Sequence, residues 1–107
     1  MYHAFIQPNN IADIDGKYRG ADFEIATSKT GKYYSTLSLW DTYRALHPLY
    51  SIIQPKVNGE IIQSMIEHQQ MKGFLPIWTL WGAENYCMIA NHAIPVIADA
   101  ILKGSMA

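Results

Sequence analysis

"SLWDTYRALHPL", residues 38 to 49, opens a run in which Leu39, Tyr43, Leu46, Tyr50 and Ile53 recur three or four positions apart. That spacing lines the apolar side chains along one stripe of an amphipathic helix, predicted over about 39–53. Ser38 and Asp41 match a helix start in which the serine oxygen accepts a backbone N–H and an acid three residues on reaches back. Pro48 has no N–H, and in a continuous helix its ring meets the carbonyl four residues earlier, so the helix is expected to kink or divide near His47. Asp41 thus has a capping role open to it as well as any chemical one.

Toward the C-terminus, a second helix over about 56–72 is signalled by Pro55 in the first turn, by the stripe Val57, Ile61, Ile62, Met65 and Ile66, and by Gly73 just past the end. The link at Gln54-Pro55 is short, so these two helices are expected to pack antiparallel. "FLPIWTLWG" (74–82) reads as a loop carrying two tryptophans, and a last helix is predicted over about 84–103, closed by Gly104. That helix is apolar almost all round, from Cys87, Met88 and Ile89 to Ile101 and Leu102. A helix without a polar face is normally buried on most sides. Three helices and a hairpin in 107 residues offer too little cover for it, which implies a piece of a larger helical domain.

Toward the N-terminus, "YHAFIQP" (2–8) reads as the last turns of a helix ended by Pro8. "KYRGADFEIA" and "KYYSTLSL", flanking "TSKTG", read as one β-hairpin over about 17–37. The fold class expected is therefore mainly α, with that single hairpin near the N-terminus.

Half of the residues are hydrophobic, enough for one domain with a modest core. Eight basic residues against nine acidic, with no Lys/Arg run, point away from nucleic acid as a partner. Cys87 is the only cysteine, so neither an internal disulfide nor a cysteine-based zinc cluster can form. No stretch reaches the ~18 apolar residues of a membrane span. "MYHAFIQPNN" lacks the basic and apolar regions of a signal peptide, which leaves export open.

Short motifs give little chemistry. "TGKY" (30–33) lacks both the earlier glycine and the Ser/Thr of a phosphate loop. Asp13, Asp15, Gly16 and Asp22 align with half of an EF-hand loop, but Ile11 occupies the first ligand position and a hairpin follows, which favours a solvated turn. His3, His47, His68 and His92 form no metal pair on one helix face. Cys87 and His92 would lie about 140° apart round a helix, too far for a thiolate–imidazole pair. What remains is aromatic residues beside polar ones: Trp40 with Asp41 and Arg44, and Trp78 and Trp81 with Glu84 and Asn85. A pyranose stacks its C–H face on an aromatic ring and needs partners for its hydroxyls, and Trp beside Asp supplies both. Tryptophans in the core and polar residues as caps would give the same pattern.

The ordered series "YHAFIQPN", "DIDGKYRG", "STLSLWDTYRALHPL" and "LPIWTLWGAENYCMIANHAIPVIADAILKG" resembles family 92 of the glycoside hydrolases, calcium-dependent exo-acting α-mannosidases, over nearly the whole chain. Ala90 departs from the family pattern, which has glycine there. The resemblance implies an early section of an (α/α)6 toroid of helical hairpins, with the remainder of a longer parent chain as its partner and a mannose-containing glycan as substrate. It implies that Trp40 and Asp41 hold the terminal mannose, that Arg44 contacts sugar or supports the site, and that Glu84, Asn85, Asn91 and His92 lie near the same mouth. By the same resemblance the catalytic acid and base and the calcium ligands lie outside this section, leaving no catalytic or metal residue within it and the section alone inactive. The enzyme would be secreted, periplasmic or cell-surface. A reading from another class is a non-catalytic helical module that binds a protein or glycan through its tryptophan loop.

Overall fold

The computed structural model describes residues 2–89 and 91–104. Its architecture is mixed, with four α-helices and three small antiparallel sheets among the described residues, where the sequence had suggested mainly helix and one hairpin. In chain order the elements are β1 (Asn9–Asn10), β2 (Lys17–Arg19), β3 (Ile25–Thr27), β4 (Tyr34–Ser35), β5 (Leu37–Ser38), α1 (Leu39–Thr42), α2 (Leu46–Ile53), α3 (Pro55–Lys72), β6 (Trp78–Leu80), β7 (Ala83–Glu84) and α4 (Ala93–Leu102).

The helix expected over 39–53 is two helices, and the break falls at residues 43–45 rather than at His47. Pro48 is the cause. A continuous helix would press its ring onto the carbonyl of residue 44. Restarting at Leu46 puts Pro48 in the first turn, where an N–H has no helical partner, and the Leu49 N–H is the one that bonds Ala45 O, at 2.8 Å. Pro95 acts in the same way further on. It lies inside the helix expected from about 84, and α4 accordingly begins at Ala93, with Glu84 in a strand and residues 85–89 and 91–92 outside any helix or strand. Ala90 lies outside the described residues.

The hairpin also differs from expectation. Its turn falls at Gly20–Glu24, within "KYRGADFEIA", and β2 pairs with β3 alone, Tyr18 opposite Ala26. The second arm pairs elsewhere: β4 with β1, Asn10 opposite Tyr34, and β5 with β6, Ser38 opposite Trp78. The two arms still meet through side chains, since the Tyr18 and Tyr33 rings stack at 3.8 Å and 7°. Buried Glu67 of α3 accepts the Tyr18 hydroxyl at 2.9 Å and the Lys29 N–H at 3.0 Å, tying both to the helix. Burial and the neighbouring Glu67 push both tyrosine hydroxyls up, beyond the usual range.

α3 supplies the centre of the core. Ile61, Ile62 and Met65 are fully buried against Leu37 and Leu39, Tyr50 of α2, and Ala93, Val96 and Ala100 of α4. Gly73 ends α3 with φ 92°, a left-handed conformation that glycine adopts without steric cost. A 3-10 turn over Tyr2–Phe5 replaces the expected helix end; it is held by the Tyr50 hydroxyl, which donates to Ala4 O and Gln7 O, and by Phe5 stacked on Tyr50 at 5.4 Å. Only one face of α4 is covered: Ile94, Ile101 and Leu102 are exposed. No helix among the described residues is long and apolar enough to cross a membrane.

Candidate functional site

Leu39, fully buried, pins the start of α1 to the core, and the register of β5 against β6 sets where that start lies. The next two side chains consequently emerge: Trp40 is half-buried and Asp41 exposed. Ser38 occupies the N-cap position, yet its side chain makes no capping bond, contrary to the expectation for an S-x-x-D start. Its backbone is already extended in β5, and its carbonyl accepts the Thr42 hydroxyl at 3.3 Å. Asp41 is thus not the second half of a capping box, and its carboxylate has no hydrogen-bond or ion-pair partner among the described residues.

Arg44 folds back over this start. Its guanidinium carbon lies 4.5 Å from the Trp40 ring centroid and 5.2 Å from that of Tyr43, within the range in which a cation is drawn to an aromatic face. Tyr43 in turn stacks on His92 at 4.0 Å with the planes 1° apart. Four candidates are therefore brought together: Trp40, Asp41 beside it, Arg44, and His92 through Tyr43. Sequence reasoning placed Tyr43 on the apolar stripe, and the side chain does pack against the core, but no sequence signal paired its ring with His92.

Glu84, at the end of β7, and Asn85 lie just after the tryptophan turn. Glu84 has a fully buried side chain whose carboxylate accepts the N–H groups of Ile77 at 2.7 Å, Trp78 at 2.9 Å and Tyr86 at 3.0 Å. Asn85 donates its backbone N–H to Trp78 O at 2.9 Å and its amide to the same oxygen at 3.5 Å. Both residues brace the segment that β5 pairs with. Asn91 is exposed and its carbonyl accepts the Ile94 N–H at the start of α4. A groove of about 640 Å³ lined by Leu46, Pro48, Leu49 and Ile52 takes in Arg44 but no carboxylate, so it is not where hydroxyls would be held. Among the described residues no three His, Cys, Asp or Glu side chains are grouped to hold a metal.

The chain is similar to known proteins along nearly its whole length. Residues 1–107 match the Glycosyl hydrolase family 92 catalytic domain. The family GH92 alpha-mannosidase BT3965 from Bacteroides thetaiotaomicron, solved alone and with mannoimidazole, superposes with a TM-score of 0.93 at 43% identity over 98% of this chain. The family GH92 inverting mannosidase BT2199 from B. thetaiotaomicron VPI-5482 superposes with a TM-score of 0.87 at 28% identity, also over 98%. This chain spans 14% of the length of each. Comparison with curated proteins gave no match. The chain belongs to glycosyl hydrolase family 92, as a section of its catalytic domain.

Proposed function

We propose that this chain is a section of an inverting, exo-acting α-mannosidase of glycan degradation, and that it supplies sugar-binding side chains to the subsite for the terminal mannose. The observation that carries the reading is the overlap with a family 92 alpha-mannosidase along 98% of the chain at 43% identity. The uncovered apolar face of α4 supports a larger body around the section, here an (α/α)6 toroid completed by the rest of the parent chain.

Within the section the roles divide by chemistry. The half-buried Trp40 ring offers an apolar face, Asp41 accepts hydroxyl hydrogens, and Arg44 donates N–H groups while its plane is steadied on Trp40. His92 orders the Tyr43 edge of the same cluster. Inversion needs an acid and a base about 6.5–9.5 Å apart across the glycosidic bond. Glu84 cannot partner Asp41 in that reaction, because three backbone N–H groups and complete burial sequester it. Its role is bracing, and proton transfer belongs to carboxylates of the remaining chain. Calcium is implied by the family, and the same resemblance puts its ligands in the remaining chain; among the described residues no three His, Cys, Asp or Glu side chains are grouped.

The full-length protein tests this. Incubated with a terminal α-mannoside and followed by proton NMR, it should release β-mannose first, as inversion requires, and Asp41→Asn should abolish most of that release. Absence of hydrolysis on any terminal α-mannoside would overturn the reading.

A further inference from the structure

Among the described residues, five that are not glycine have a left-handed backbone: Phe23, Thr36, Trp81, Tyr86 and Met88. Four of them are exposed, whereas Thr36, at φ 62°, is buried and is the one with a branched Cβ. The second heavy atom on Cβ makes that conformation costly. No side-chain bond offsets the cost, because the Thr36 hydroxyl is buried without a hydrogen-bond partner among the described residues. The chain on either side holds it instead. Tyr34 donates its N–H to Ser64 Oγ at 2.9 Å, and Ser35 Oγ accepts the Gly82 N–H at 2.8 Å. Leu37 donates its N–H to Thr79 Oγ1 at 3.3 Å, pairs opposite Thr79 and is buried, as is Leu39. A disfavoured conformation persists only where its surroundings over-determine it, which these contacts do.

The left-handed residue turns the chain from one sheet to another. β4 ends at Ser35 as the partner of β1, and β5 begins at Leu37 as the partner of β6, so the change of partner is made at Thr36. α1 follows β5 with no loop between them, and the direction set at Thr36 is carried straight to Trp40 and Asp41. Resting on the mannosidase reading, we propose that Thr36 is a positioning residue for the sugar-binding cluster. Its left-handed backbone aims the start of α1, and relaxing it would swing Trp40 and Asp41 out of place.

Two substitutions in the intact parent chain test this. Asparagine enters the left-handed region more readily than threonine and keeps a side chain of similar size, so Thr36→Asn holds the aim with less strain. Glycine takes either sign of φ, so Thr36→Gly removes the strain and the restraint together. The denaturant midpoint should rise for Thr36→Asn and should not fall below wild type for Thr36→Gly. On a terminal α-mannoside the Asn variant should keep the wild-type KM and kcat. The Gly variant should show KM raised about tenfold with kcat little changed, the mark of binding groups moved off their places. Hydrogen exchange read by mass spectrometry should show protection of residues 39–43 reduced about threefold in the Gly variant, the size of glycine's added freedom, and unchanged in the Asn variant. A Gly variant with wild-type KM would overturn the proposal, whether or not its protection falls, since Thr36 would then serve the fold alone. So would an Asn variant less stable than wild type, which would mean that no strain is held there. A parent that hydrolyses no mannoside would sink the functional reading alone, since the exchange experiment still decides whether Thr36 aims α1.

Discussion

The Tyr43 and His92 rings lie parallel, 1° apart with centroids at 4.0 Å, and so join the break after α1 to the residue that starts α4. The two positions are far apart in sequence, and the contact is what brings His92 to the Trp40–Arg44 pair. Stacked aromatic pairs contribute roughly 0.5–1.5 kcal/mol beyond their burial. A double-mutant cycle of Tyr43→Leu and His92→Leu by chemical denaturation of the full-length protein should return a coupling energy in that range. His92→Phe should keep the stack and most of the stability while weakening sugar binding. A coupling near zero would mean that the rings merely lie alongside one another.

Ser38 and Asp41 should separate cleanly. A lost N-cap typically costs 0.5–2 kcal/mol, but Ser38 makes no side-chain capping bond. Ser38→Ala should therefore change stability by less than about 0.5 kcal/mol, as surface changes away from special features do. Asp41→Asn should be equally mild in stability, because the carboxylate is exposed and unpaired among the described residues. Its kcat/KM on mannosides should fall at least about tenfold, the loss of one hydrogen bond to a charged group. Thermal melts beside kinetics on the two variants check this; an Asp41→Asn enzyme with unchanged kcat/KM would remove Asp41 from the sugar site.

The course of the chain shows what sequence periodicity could and could not convey. The stripe Ile61, Ile62, Met65 became the centre of the core because its helix has no internal proline and ends at a glycine free to turn left-handed. The apolar stretch 84–103 misled, because composition cannot distinguish a buried helix from a strand and loop followed by a short one, and Pro95 was the local signal that decided it. Strand partners were illegible for a different reason. Two-residue strands such as β4 and β5 carry no period, and what selects their partners is tertiary: the Ser64 hydroxyl accepting the Tyr34 N–H at 2.9 Å, and the Thr79 hydroxyl accepting that of Leu37 at 3.3 Å. Trp40, Asp41 and Arg44 could be read as a group since they share one turn. Glu84 could not be told from a ligand, because its three N–H partners are backbone and leave no trace in residue types.

Gly82, in the tryptophan loop, should be harder to replace than Gly31. It follows Trp81 in the two-residue turn between β6 and β7, and both have positive φ, 52° for Trp81 and 86° for Gly82. Its N–H donates to the Ser35 hydroxyl at 2.8 Å, and a Cβ there would run into the Arg19 carbonyl oxygen, a backbone atom that cannot swing aside. Gly31 also has positive φ, 80°, but a Cβ there meets nothing within 4 Å. Gly31→Ala should therefore cost only the left-handed penalty of about 1–2 kcal/mol, and Gly82→Ala should cost about 1–3 kcal/mol more through the clash. Denaturant midpoints of the two variants, side by side, check the ordering.

His47 sets the acid limit of the fold. It is 2% exposed, lies edge-on to Tyr50 at 6.1 Å, and neither ring nitrogen has a hydrogen-bond partner among the described residues. Burial pushes its pKa down from 6.5 to about 4. The sign follows from proton counting. Between these values the unfolded chain binds a proton that the folded chain refuses, so stability falls as pH drops from about 6.5 toward about 4 and is lost no further below that. The difference corresponds to about 3 kcal/mol. His47→Leu, which leaves the carbonyl of residue 47 free to accept the Ser51 hydroxyl as before, should be no less stable than wild type at pH 8, since it removes two unsatisfied buried polar atoms. It should lose most of the slope between pH 6.5 and 4. Urea midpoints of both proteins across that range measure it, and a wild-type slope that survives in His47→Leu would assign the acid sensitivity to another group.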